Sequence, residues 1–93
     1  MGTNTLTINF GAFPGANEAS VVVPEPGIGA ASYIEPFVMA SDSTSDHNAN
    51  NHKYLPMLAE FTGGDPVAGV QYTVYGRSPH KLQGTFQLRA AWT

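Results

Sequence analysis

Leu6, Ile8 and Phe10 alternate with Thr5, Thr7 and Asn9, and the same two-residue period closes the chain. There Phe86, Leu88, Ala90 and Trp92 alternate with Thr85, Gln87 and Arg89. Successive side chains of an extended strand point to opposite faces, so this period predicts strands with one buried and one wet face. Val70, Tyr72 and Val74 repeat the pattern, and Ala19 to Val23 is a β-branched run stopped by Pro24. Ser32 to Met39 and Lys53 to Phe61, rich in Tyr, Ile, Phe, Val and Leu, also read as strands. Between them lie breaker-rich stretches that read as turns and loops: "GAFPGANEA" (11–19), "PEPGIGAA" (24–31), "TGGDPVAG" (62–69) and "GRSPHKLQG" (76–84). Nowhere do apolar residues recur at i, i+3, i+4 and i+7 over a useful length. The expectation is an all-β chain, a single domain over 1–93, folded as a small β-sandwich or barrel of about six antiparallel strands. Pro36 and Pro56 fall inside expected strands, where a residue without an N–H suits an edge or a bulge, and the two would suit neighbouring positions on one hairpin.

Between the third and fourth expected strands stands "SDSTSDHNANNH", residues 41–52, with one alanine and nothing else apolar. Its aspartates, histidines and asparagines are metal-ligand residue types. As a calcium loop it fails: Asp42 and Asp46 are suitably spaced, but His47 replaces the required glycine and Lys53 the closing glutamate. A zinc or nickel site from Asp46, His47 and His52 is chemically possible, since imidazole and carboxylate suit those ions. A further reading is a histidine–carboxylate pair that orders the segment without metal, with Asp46 and His47 as cap residues. The favoured expectation is a solvated or partner-contacting loop at the tip of a hairpin, contact falling to Asp46, His47, Asn48, Asn50, Asn51 and His52. No metal and no cofactor is assigned.

Other constellations are weaker. "GIGAAS" (27–32) lacks the third glycine of a dinucleotide fingerprint and leads into a strand, and no G-x-S-x-G elbow exists. Glu35 and Glu60 on apolar strands could form an acid–base pair, but such residues more often face water or meet a cation such as Arg89. Tyr33, Tyr54, Tyr72, Tyr75 and Trp92 could form a sugar-stacking platform, which would make the chain a carbohydrate-binding module. Core or interface positions explain the same aromatics more economically.

Charge narrows the partners. Lys53, Arg77, Lys81 and Arg89 are the only strong cations, against seven acidic residues, so no basic stripe exists to neutralise phosphates and nucleic acid is not expected. Only 12% of residues are charged, against about 25% in an ordinary domain, which suggests a surface partly covered by a partner. Cysteine is absent, so neither disulfides nor thiolate metal sites can staple a body of 93 residues, and self-association as dimer or trimer is expected. The N-terminus has no basic region followed by an apolar run, and Leu6 stands where a myristoylation signal needs serine or threonine. With no apolar run long enough to span a bilayer, neither export nor membrane insertion is expected.

"TINFGAFPGANEASVVV", "YIEPFVMASDSTSDHNANNH" and "PVAGVQYTVYGRSPHKLQGTFQLRAAWT" together resemble small structural proteins encoded in the virion modules of tailed bacteriophages and prophages. The shared features are a strand ending in F-G-x-F-P-G, an A-D-H…H loop, a G-x-x-[FY]-T-[IV]-Y strand and a last strand ending near a tryptophan. Asn50 and Asn51 stand where relatives often carry acidic residues, which weakens a ligand role for the loop. The resemblance implies a non-enzymatic virion component assembled in the host cytoplasm, such as a capsid decoration or cement protein bound to the major capsid protein. A tail- or fibre-associated protein is its nearest alternative. It supplies no site residues.

Overall fold

The computed structural model describes residues 2–93. Six strands and one helix follow in the order β1 (Gly2–Asn9), β2 (Ala16–Pro24), β3 (Ile34–Phe37), α1 (Ala49–Leu58), β4 (Glu60–Val67), β5 (Gln71–Leu82) and β6 (Thr85–Trp92). They form two three-stranded antiparallel sheets, ordered β1-β6-β3 and β2-β5-β4, packed as a small all-β sandwich. Every connection but the β4–β5 hairpin passes from one sheet to the other.

The alternating residues do what their period requires. Leu6 and Ile8 of β1 lie opposite Leu88 and Phe86 of β6, and all four are buried. From the second sheet Val23, Tyr72 and Val74 complete the core, with Val21 and Ala19 packed beside them. Tyr72 is fully buried because its hydroxyl has a partner: it donates to Asn4 Oδ1 at 2.7 Å, and Asn4 Nδ2 donates to Glu25 Oε1 at 3.0 Å. The Gly27 amide and the Asn4 side chain hold the Glu25 carboxyl below the usual range. Burial, followed by the nearby Glu25 charge, pushes the Tyr72 hydroxyl up.

Four expectations are corrected. Lys53–Leu58 is not strand but the last part of α1, and only Glu60 and Phe61 of the expected fourth strand are extended. The helix buries only His52 and Leu55, with Ala59 buried just past its end, so its inward stripe is short and half of it is a histidine. "TGGDPVAG" is turn only at its end. Residues 62–67 continue β4 opposite β5, with a bulge between Gly64 and Val67 that accommodates Asp65, at φ 50°, and Pro66. "GRSPHKLQG" likewise runs on as β5 to Leu82, and Pro79 falls where the pairing with β2 shifts between Ala16 and Glu18, so its missing N–H breaks no ladder bond. Last, Pro36 does lie on an edge strand, β3, but Pro56 sits inside α1, and no hairpin joins them.

Candidate functional site

The 41–52 segment is no hairpin tip. It leaves β3, crosses the outer side of the β6 strand and turns into α1. A turn closed by the Asp42 amide on the Met39 carbonyl (3.0 Å) drops the Asp42 side chain beside Arg89, whose Nη2 reaches Asp42 Oδ1 at 3.0 Å. Asp42 is buried and Arg89 half-exposed, and this is the only ion pair among the described residues. Arg89 therefore meets neither Glu35 nor Glu60. Those two point away from the core on opposite sheets, Glu35 beside Ala91 and Glu60 beside Arg77, so the candidate acid–base pair is not assembled.

Past Asp42 the segment is fastened to the start of β6. The Asp46 carboxylate accepts the Thr85 amide at 2.8 Å and the Thr85 hydroxyl at 2.6 Å. The Thr44 hydroxyl lies 2.8 Å from Asp46 Oδ1 and 2.7 Å from the Thr85 carbonyl, its one proton serving both. Hydrogen bonds from the Thr85 side chain, the Thr85 amide and Thr44, in that order, hold the Asp46 carboxyl well below the usual aspartate range. Gly84 makes room for this contact. It has φ +81°, and a Cβ there would stand 3.0 Å from His47 Nε2 and 3.1 Å from Asp46 Cγ.

The two histidines are fixed in opposite tautomers. His47 stacks on Phe86 with ring centroids 4.0 Å apart, and its Nε2 faces the Gln83 carbonyl at 2.9 Å, so Nε2 carries the proton. His52 Nε2 accepts the Gln87 amide at 2.8 Å, which places its proton on Nδ1, opposite the Asn48 carbonyl at 2.9 Å. His52 is 0% exposed. Both of its ring nitrogens are spent on backbone, and among the described residues no cluster of three His, Cys, Asp or Glu side chains could hold a metal ion. As a partner contact His52 is also corrected, because it faces inward.

The cap residues differ from expectation as well. Asn48, rather than Asp46 or His47, caps α1: its side chain accepts the Asn51 amide at 3.0 Å and the Asn51 side chain accepts the Asn48 amide at 3.0 Å. The N-x-x-N capping-box spacing of Asn48 and Asn51 is the signal by which the helix could have been found. Of the expected contact residues, Asp46, Asn48, Asn50 and Asn51 are exposed, and His47 is half-exposed.

Beside this clasp a groove of about 280 Å³ opens between α1 and the β5–β6 connection, floored by Leu55, Leu82 and Phe86 and flanked by Tyr54. A second hollow joins Asp46 and His47 to Gly11 and Ala12 of the β1–β2 turn. The end of the sandwich is thus built from that turn, the clasp, α1 and the β5–β6 connection, and it presents Phe13 at 85% exposure and Tyr54 at 54%. The tyrosines and tryptophan form no single platform. Tyr72 is in the core, Tyr75 lies on the outer face of its sheet, Tyr54 is on the helix, and Tyr33 precedes β3.

The Asp46 anchor has an acid signature. Its folded carboxyl binds a proton more weakly than the unfolded one, so its contribution to stability is complete above the ordinary aspartate value of about 4 and is lost as pH falls below it. Denaturation midpoints between pH 5 and 2.5 should fall less steeply for Asp46→Asn than for the unaltered chain; equal slopes would show that the carboxylate is not held as described.

Comparison with protein-family models, curated proteins and solved structures finds no match to this chain.

Proposed function

We propose that the protein is a non-enzymatic structural component of a tailed-phage particle, a decoration or cement protein that docks on the assembled shell through the end of the sandwich carrying the clasp. The observation that carries this reading is the contrast at that end. Asp46, His47 and His52 are occupied by backbone and hydroxyl partners, while Tyr54 stands in water beside an apolar-floored groove and Phe13 stands in water on the β1–β2 turn. Large exposed aromatics beside a preformed groove suit protein docking, where such residues dominate the binding energy. The motifs shared with phage virion proteins supply the kind of partner, most simply the major capsid protein. The dispersal of the tyrosines removes the main support for a carbohydrate-binding module.

Mass spectrometry of purified particles is the primary test. Hundreds of copies per virion are expected for a head protein; about three to a dozen would move the protein to the tail or a fibre, and none would end the proposal. The docking end is tested separately by Phe13→Ser with Tyr54→Ser. Loss of two exposed anchors should weaken particle binding at least about thirtyfold, at about 2 kcal/mol or more for central aromatics. The melting temperature should stay within a few degrees of the parent. Unchanged particle occupancy would place docking elsewhere.

A further inference from the structure

The two outer faces of the sandwich are not equivalent. The β1-β6-β3 face is partly covered by the chain itself, through the contacts of Asp42, Thr44 and Asp46 with Arg89 and Thr85. The β2-β5-β4 face has no such cover. At one end of its paired rows, Arg77 of the central strand β5 is flanked in register by Glu18 of β2 on one side and Glu60 of β4 on the other. Neighbouring strands are about 4.8 Å apart, so one guanidinium stands between two carboxylates about 10 Å from each other. All three are exposed, yet Arg77 forms no ion pair with either. Hollows of about 450 Å³ and 460 Å³ lie against Arg77, and both include Glu18 in their walls. Along the same face Val22 is 51% exposed and Tyr75 39%. Asp65 accepts the Tyr75 hydroxyl, which pushes that hydroxyl's ionisation up and ties the side chain to the β4 bulge.

We infer that this face is a two-fold interface with a second copy of the same chain, in which Arg77 of each copy is received by the Glu18 carboxylate of the other. Offset by one strand, the minus, plus, minus order sets each Arg77 against one carboxylate of the other copy, an arrangement that a two-fold axis between β2 and β5 provides. Val22 and Tyr75 then leave water against their counterparts. The offset leaves two strands over seven residues in contact, about 10 by 23 Å, far less than a standard interface, so the dimer is a weak and reversible one. Its formation is independent of docking to a particle, and the experiment uses purified protein alone.

Sedimentation velocity from 5 to 200 µM should show a monomer–dimer equilibrium in the unaltered chain that weakens as salt rises from 0.05 to 0.5 M. Arg77→Glu makes the row uniformly negative, and Glu18→Lys with Glu60→Lys makes it uniformly positive. Each should raise the dissociation constant at least about tenfold through like-charge repulsion. Mixed in equal amounts, the two variants should associate again as a heterodimer. Circular dichroism and melting check that both remain folded, as exposed substitutions should. A parent chain that is monomeric at 200 µM overturns the inference and leaves the face to another partner. So do charge variants that dimerise as well as the parent, or a mixture that stays monomeric.

Discussion

Replacing His52 with alanine is expected to destabilise the protein by about 3–5 kcal/mol, the range for removing a large, fully buried side chain together with its hydrogen bonds. The ring is enclosed among α1, β6 and Phe86, whose ring centroid is 5.6 Å away in an edge-on arrangement. Its loss opens a cavity and strands the Gln87 amide, which now donates to Nε2 at 2.8 Å. In a domain of this size a loss of that order lowers the melting temperature by about 15 °C or more. His47→Ala gives the comparison. It removes one stacking contact and one hydrogen bond at a half-exposed position, and about 1 kcal/mol is expected. If urea denaturation finds the two variants equally mild, His52 is not the post on which the clasp and helix are mounted.

Gly15→Ala is the second large effect, about 3 kcal/mol from two separate causes. Gly15 has φ +85°, where any Cβ costs about 1–2 kcal/mol. The added carbon would also be driven against the Leu82 carbonyl group, its carbon 2.8 Å away. Backbone cannot swing aside as a flexible side chain can, so the β1–β2 turn or the end of β5 must move, at a cost of about 1–3 kcal/mol. The turn is already closed by the Gly15 amide on the Ala12 carbonyl at 2.7 Å, which leaves little slack. A fall in urea midpoint with unchanged m is the expected result. A loss below about 1 kcal/mol would mean that the turn relaxes freely and does not brace Phe13.

Of the clasp, the amino-acid sequence shows the ingredients and not the assembly. Asp46 is recognisable as a residue that must be hydrogen-bonded or solvated, but Thr85, its partner, is 39 residues away. Asp42 and Arg89 are 47 apart, and His52 and Gln87 are 35 apart. No local pattern marks which of the hydroxyls and amides will be brought opposite a given carboxylate. The same holds for the Glu18–Arg77–Glu60 row, which exists only because two separate strands register on one residue of β5.

By itself the sequence determined the all-β class, the buried faces of β1, β5 and β6, an edge or bulge position for Pro36, and a break in the chain around Gly11, Pro14 and Gly15. Each of these is a short-range property: a two-residue period, a missing N–H, a glycine where φ is positive. Only the tertiary structure decided that residues 49–58 are helix and that β4 and β5 run on through glycine- and proline-rich stretches. It also decided that one imidazole is core and the other lid. Those outcomes depend on what lies across the sheet. Gly63 and Gly64 are strand because β5 supplies their partners, and His52 can be buried because β6 offers it an amide. Propensity read along one segment is worth a few tenths of a kcal/mol per residue, and a ladder of long-range hydrogen bonds with a buried face beneath it outweighs that.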